Sequence, residues 1–262
     1  MNDYLNFAVS VAREAGDLLL FFHGKANKLD WKGRTDLKNE VDRKSDELIR
    51  RRIAQVFLRH NVLSEEDDPI NLGSKFTWVV DPLDGTIGFT RGFFGGVFAV
   101  SIALAISRKP ILGVIYAPKF GLLYTARDGK GAFCNGDMIC VAREGNINHA
   151  VVLAGGGKET ASFKRTDFLP YYQKLMSPDG VVDIVNASCG TVAFCHVAEG
   201  KLDAAALLSQ DPWDMAAATC ILREAGAKVT DIHGKEWELG DPSFLTANPE
   251  LHKKFCALFS EI

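Results

Sequence analysis

The sequence is short of the features that mark several function classes. None of its six cysteines forms a C-x-x-C pair, so thiolate zinc and thioredoxin-like chemistry lack their spacing. Six cysteines in 262 residues are also too sparse for a disulfide framework, and they read as small core residues. Basic charge is not in excess. Lys plus Arg is 30 against 33 for Asp plus Glu, a net −3, which gives no global electrostatic reason to bind nucleic acid or acidic lipid. The longest apolar run, residues 97–106, is half of the roughly 20 residues that a membrane-spanning helix needs. The N-terminal segment carries Asp3 and Glu14 and no basic leader, so it reads as a helix rather than a signal peptide. A cytoplasmic location without membrane or nucleic-acid partners is the expectation. No Pro-, Gly- or Ser-rich linker and no internal repeat divides the chain.

The remainder is ordinary for a folded enzyme: 47% hydrophobic and 24% charged, enough apolar surface for a sizeable core. Helical spacing of Leu5, Val9, Ala12, Leu19 and Phe22 predicts a helix over 5–22. A polar stretch, 23–36, reads as a loop or hairpin. A second helix starts near Val41, with Leu48, Ile49, Ile53, Val56 and Phe57 as its apolar stripe; the run Arg50-Arg-Arg52 reads as its solvated face. Strands are predicted over 76–80, 97–106, 111–116 and 122–126, with turns at Ser107-Arg-Lys-Pro110 and Asp128-Gly-Lys-Gly131. The second half alternates: strands at 151–154, 181–185, 204–208 and 228–230, and helices at 161–176, 191–199, 214–225 and 249–260. This is a layered α/β pattern, read as two lobes of one body, roughly 1–145 and 146–262, with a soft boundary near 143–149.

Several motifs fail on inspection. Gly155-Gly-Gly-Lys158 lacks the phosphate-loop register and is followed by Glu159. Gly129 and Gly131 begin a dinucleotide fingerprint that Cys134 breaks. There is no G-x-S-x-G elbow and no H-E-x-x-H pair, and the six histidines are scattered.

Three acidic segments stand out: Ser64-Glu-Glu-Asp-Asp68, Asp81-Pro-Leu-Asp-Gly-Thr86 and Asp211-Pro-Trp-Asp214. In the second, Asp81 sits at the end of a buried-type strand, Pro82 stops the ladder and Gly85 allows a tight turn. Asp81, Asp84 and the Leu83 carbonyl can then face one point. Oxygen donors suit a hard cation such as Mg²⁺. A helix starting at Thr86 would add the Gly85 and Thr86 N–H groups as an anion seat beside it. Each segment also has a plain reading. Asp-Pro-Leu-Asp-Gly is a common turn composition, 65–68 is a solvated acidic loop, and Asp42 and Asp214 are acids near helix starts.

Taken together and in order, the segments resemble the inositol monophosphatase superfamily, the Mg²⁺-dependent, lithium-sensitive phosphatases. Residues 32–42 resemble the loop before the family's second helix, and Ser64-Glu-Glu66 takes the place of its G-E-E. Trp78-Val-Val-Asp-Pro-Leu-Asp-Gly-Thr86 matches its W-x-x-D-P-[LI]-D-G-T signature. The segment 129–136 looks like its hairpin, and Pro212-Trp-Asp-Met-Ala-Ala217 with Glu224-Ala-Gly226 looks like its W-D-x-A-A and E-A-G helix. The resemblance spans nearly the whole chain. It implies a layered α-β-α-β-α sandwich, an α+β lobe beside an α/β lobe, as in inositol monophosphatase and fructose-1,6-bisphosphatase. It also implies a homodimer and two or three Mg²⁺ ions. Glu65, Asp81 and the Leu83 carbonyl would hold the first ion, and Asp81, Asp84 and Asp214 the second. Thr86, polarised by Asp42, would orient the attacking water with Glu65. Gly85 and Thr86 N–H groups would hold phosphate, and Glu66 would support.

The chain departs from the inositol-selective pattern at the pocket, which the resemblance places at Gly190, Thr191, Val192 and Leu207. Leu207 stands where those members carry a Glu that binds sugar hydroxyls, Val192 replaces a small Ala, and Ile87-Gly-Phe89 replaces the common Asn. Gly88-Phe-Thr-Arg-Gly92 is reminiscent of 3′(2′),5′-bisphosphate nucleotidases, without their usual Lys. The expected activity is hydrolysis of inositol monophosphate or a related sugar or polyol phosphate. The alternatives are bisphosphate nucleotidase, fructose-1,6-bisphosphatase or histidinol-phosphatase activity. Retention of Asp42, Thr86 and the carboxylates argues against a non-catalytic binding regulator.

Overall fold

Helix α1 (Asn2–Phe22) buries Ala8, Val11, Ala12, Ala15 and Leu19, which recur at three- and four-residue spacing. The computed structural model describes residues 2–25, 29–31, 37–92, 95–260 and 262. The segment predicted as a loop or hairpin holds β1 (Leu29–Trp31) and β2 (Leu37–Asn39), paired antiparallel. Residues 32–36 of the first motif lie outside the described residues. Helix α2 (Glu40–Val56) starts with Glu40 and Asp42, acids that suit the positive end of its dipole, and buries Val41, Ile49 and Ile53.

The large sheet follows. Its strands are β3 (Asn61–Ser64), β4 (Phe76–Asp84), β5 (Ala99–Ile106), β6 (Lys109–Ala117), β7 (Leu122–Arg127), β8 (Ala132–Cys134) and β9 (Asp137–Ile139), in that order across the sheet. A short helix, α3 (Thr86–Arg91), lies between β4 and β5. The β3–β4 pair is parallel and the others are antiparallel; short turns connect β5 through β9, while α3 lies in the β4–β5 connection. Ser107 and Arg108 both have positive φ, 48° and 79°, as a two-residue hairpin turn requires. Two expectations are corrected. Pro82 does not end β4: the ladder to β5 slips between Asp81 and Asp84, and the proline sits in that irregularity. Strand β3 was not expected, since four residues beside an acidic loop give too short a pattern.

The second sheet has the order β11 (Asp183–Val185), β10 (Val151–Gly156), β12 (Ala204–Leu208), β14 (Phe244–Ala247), β13 (Lys228–Thr230). Helices α4 (Leu169–Leu175) and α7 (Pro249–Phe259) cover one face, and α5 (Gly190–Ala198) and α6 (Pro212–Glu224) the other. Alternation assigns the faces: Val152, Ala154, Ala204 and Ala206 pack toward α4 and α7, while Leu153, Ala205 and Leu207 pack toward α5 and α6. On the large sheet Trp78 and Val80 face α1 and α2, and Val79 faces the middle helices. The result is the five-layer α-β-α-β-α sandwich, with α5 and α6 shared by both sheets. The helix predicted over 161–176 is shorter: a 3₁₀ turn at Arg165–Phe168 precedes α4, whose start is marked by Pro170. Strand β14 was missed as a brief apolar run. The cysteines are not uniformly core: Cys189, Cys195 and Cys220 are buried, Cys134 and Cys256 half-buried, and Cys140 exposed. Among the described residues no helix is long and apolar enough to cross a membrane.

Two of the sequence motifs turn out to be joints. Glu224, at the end of α6, accepts the N–H groups of Gly129, Lys130 and Gly131 at 2.8, 2.9 and 2.7 Å, pinning the β7–β8 turn. Within α6, Ala217 lies against Gly113 of β6; a Cβ on Gly113 would come 2.3 Å from the Ala217 carbonyl oxygen. Gly113→Ala therefore forces α6 off β6. It should lower stability by about 1–3 kcal/mol in chemical denaturation; a change below about 0.5 kcal/mol, the range of neutral surface substitutions, would contradict this close packing.

Candidate active site

The site is assembled by α2. Its inward edge is polar: Asp42, Ser45, Asp46 and Arg50 are all buried. Each takes hold of a different piece of the site. Asp42 Oδ1 lies 3.2 Å from the Thr86 hydroxyl, at the start of α3. Ser45 donates to the Pro82 carbonyl at 2.9 Å, fixing the turn between Asp81 and Asp84. Asp46 accepts from Ser64, the residue before Glu65. Arg50 pairs with Asp46 at 3.4 Å and Asp67 at 3.7 Å, and donates to the Asp68 carbonyl at 3.0 Å. The solvated face expected for the Arg run is thus corrected at Arg50, which ties the acidic loop to the helix.

The remaining parts come from β4 and the middle layer. Gly85 has φ 86°, and a Cβ there would meet the Val97 carbonyl oxygen at 2.7 Å, so only glycine makes this turn. Asp84 Oδ2 accepts from the Thr191 N–H at 2.7 Å, the Thr191 hydroxyl at 2.6 Å and the Cys189 thiol at 3.0 Å, all at the start of α5. Asp214 closes a capping box on α6, accepting from the Asp211 N–H at 3.3 Å. Its plain reading as a helix-start acid holds, and it faces the cavity as well. Glu65 is paired with Lys158, Nζ to Oε1 at 2.8 Å, and Lys158 also lies 3.6 Å from Asp211.

A cavity of about 290 Å³ joins these groups. Its lining includes Glu65, Asp81, Leu83, Asp84, Gly85, Thr86, Gly190, Leu207 and Asp214. Asp42 stands behind Thr86, and Thr191 behind Asp84. Val192 is turned into the middle core and lines a different cavity with Cys189 and His196, because it lies two residues beyond Gly190 around the helix. Glu66 follows Glu65 outside the cavity lining. Sequence reasoning missed Lys158, Arg165, Asn186 and Gln210, which line the same cavity. The signal was present in Gly155-Gly-Gly-Lys158, which lacks a phosphate-loop register but sits where β10 runs out into the cavity.

Crowding of like charge dominates the electrostatics. Burial pushes the Asp81 carboxyl well above the usual range, and the charges of Glu65, Asp84 and Asp214 push it further. Asp214 is raised by burial first, then by Glu65, Asp84 and Asp211, with Lys158 opposing. The donor set is oxygen only, the chemistry of a site for Mg²⁺ or a similar hard cation. Among the described residues no three potential ligands already converge on one point, since Glu65 is turned to Lys158 and Asp84 to Thr191. In the absence of divalent cations, the native state retains protons on Asp81 and Asp214 that the unfolded chain releases. Stability is therefore present at acid pH and lost as pH rises through the elevated values. We expect metal-free Asp81→Asn to melt at least about 2 °C above the unsubstituted chain near pH 8, the shift of roughly 1 kcal/mol at this size, and the gap to close as pH falls to about 4, where the unfolded chain holds the proton as well. Calorimetry showing the variant less stable at the higher pH would contradict this charge crowding.

Comparison with known proteins agrees with the site and the fold. Residues 1–262 match the model of the inositol monophosphatase family. An inositol monophosphatase of Dictyostelium discoideum is 30% identical, covering 100% of this chain and 96% of its own. A protein named fructose-1,6-bisphosphatase/inositol-1-monophosphatase from Aquifex aeolicus is 34% identical, covering 96% and 93%. The crystal structure of the extragenic suppressor protein suhB from Bartonella henselae superposes with a TM-score of 0.89 at 29% identity, covering 99% of each chain. The chain belongs to the inositol monophosphatase family.

Proposed function

We propose that the chain, a phosphoric monoester hydrolase, acts with Mg²⁺ on the phosphate monoester of a small sugar or polyol, inositol monophosphate among them. The observation that carries this reading is the Thr86–Asp42 hydrogen bond, closed across the sequence between α3 and α2, at the wall of a carboxylate-lined cavity. A binding module has no use for a hydroxyl held in this way. Relatives named inositol monophosphatase and fructose-1,6-bisphosphatase/inositol-1-monophosphatase support phosphoester hydrolysis.

The residues divide the work. Glu65, Asp81, the Leu83 carbonyl, Asp84 and Asp214 would hold two or three Mg²⁺ ions. Bound there, such ions supply an acidified water and a counter-charge to phosphate. The Thr86 hydroxyl lies 3.2 Å from both Asp42 Oδ1 and the Leu83 carbonyl oxygen, and its single proton can go to only one. Donating to Asp42 leaves its lone pairs free to accept from a water, which orients that water toward phosphorus. Asp42 thus fixes the hydroxyl's sense. The N–H groups of Gly85 and Thr86, at the start of α3, would bind phosphate oxygens. Asp84, held by Thr191 and Cys189, keeps its carboxylate fixed on the cavity wall.

Asp84→Asn should reduce Mg²⁺-dependent phosphate release from inositol 1-phosphate at least about a hundredfold while circular dichroism stays native; full activity would remove Asp84 from the site. Leu207 sets selectivity: its apolar side chain cannot bond a substrate hydroxyl, which leaves that hydroxyl without a partner. Leu207→Glu should raise the rate on inositol 1-phosphate relative to a nucleotide 3′,5′-bisphosphate by about tenfold, as one regained hydrogen bond implies; an unchanged ratio would place Leu207 away from the substrate.

A further inference from the structure

The catalytic cavity continues outward. A second cavity of about 270 Å³ shares Ala154, Gly155, Gly156, Arg165 and Asn186 with it and extends along Phe168, Leu169 and Tyr172 of the next turn and α4. Arg165 stands at the junction. The two cations of this rim are not equivalent. Lys158 is engaged by Glu65 at 2.8 Å and Asp211 at 3.6 Å. The guanidinium of Arg165, among the described residues, has no carboxylate partner; Glu159 accepts from its backbone N–H, at 3.4 Å, and Asp167 accepts from the backbone N–H of Lys164. Arg165 therefore brings a planar, permanently charged guanidinium to the wall of both cavities, which Asn186 also lines.

A neutral polyol carrying one phosphate has nothing to offer this guanidinium once its phosphate lies at Gly85 and Thr86. A second anionic group does. Leu153, Ala154 and Leu207 make part of the catalytic cavity's wall apolar, and no carboxylate from the second cavity's lining would repel such a group. A Glu in place of Leu207 would. We propose that the substrate is a phosphomonoester bearing a second anionic group, a phosphate or a carboxylate, which Arg165 and Asn186 hold at the cavity junction. The proposal rests on the hydrolase reading and narrows its substrate class. Arg165 is a specificity residue: it touches the end of the substrate that does not react, so its loss is read in KM for doubly anionic esters.

The experiment uses two matched pairs with Mg²⁺: fructose 1,6-bisphosphate against fructose 1-phosphate, and 2-phosphoglycerate against glycerol 2-phosphate. The full chain should favour the doubly anionic member of one pair by about tenfold or more in kcat/KM, as one charge-assisted hydrogen bond implies. The pair that shows it identifies phosphate or carboxylate. Arg165→Ala should bring the ratio near one by raising KM, Arg165→Lys should restore part of it, and Lys164→Ala, outside both cavities, should keep it. Calorimetric binding of the same esters in a Thr86→Ala background reads the contrast without turnover. Ratios near one in both pairs, or a preference that survives Arg165→Ala, would overturn the proposal. Absence of hydrolysis with a binding contrast that Arg165→Ala removes would overturn the hydrolase reading instead and leave this one standing.

Discussion

Carboxylates crowded into a buried seam repel one another, and much of the surrounding structure can be read as the means of holding them there. Asp81 is fully buried, and Glu65, Asp84 and Asp214 all act on it. These charges are not gathered on one element. They arrive instead from the end of β3, from β4 and from α6, each anchored elsewhere. Helix α2 grips the first two through Asp46, Arg50 and Ser45. Helix α5 fixes Asp84 through Thr191. Helix α6 is set by Gly113 on one side and by Glu224 on the other.

This arrangement explains why the site lies at the meeting of the layers. The middle helices pack against both sheets, so α5 and α6 present their starts to the irregular end of β4. The slip in the β4–β5 ladder between Asp81 and Asp84 is part of that meeting. It bends the strand so that two aspartates three residues apart, with the Leu83 carbonyl between them, line one cavity. A regular strand would send Asp81 and Asp84 to opposite faces.

The legible part of the fold was that written in contiguous periodicity. The stripes of α1 and α2, the β5–β6 hairpin and the Ala-rich β12 could each be read from their own residues. Strands β3 and β14 could not, since four residues acquire strand character only from the neighbours they pair with. The Lys32–Asp36 stretch lies outside the described residues. At the site, the acidic motifs were readable because several carboxylates fall within one turn. Lys158 and Arg165 were not: the Gly155-Gly-Gly-Lys158 segment fails the phosphate-loop register and Arg165 belongs to no motif, and the pairing of Lys158 with Glu65 is created by folding across distant segments. Arg50 was misread for the related reason that charge on a helix looks solvated until the acidic loop is laid over it.

Selectivity follows from the division between these two kinds of residue. The Gly85–Thr86 end of the cavity, where the proposal puts the phosphate, is set by short-range geometry, a positive-φ glycine and a helix start. The rest of the cavity wall comes from the ends of β10 and β12 and the turn before α4, and Lys158, just past β10, reaches back to Glu65. Leu207 gives the cavity a hydrocarbon wall, and Lys158 and Arg165 line the same cavity. These features point in one direction. A carboxylate facing the substrate favours neutral hydroxyl donors, whereas a partly apolar wall with a guanidinium favours an acceptor that is charged. One catalytic arrangement can thereby serve different phosphoesters, and the charge at the rim decides which.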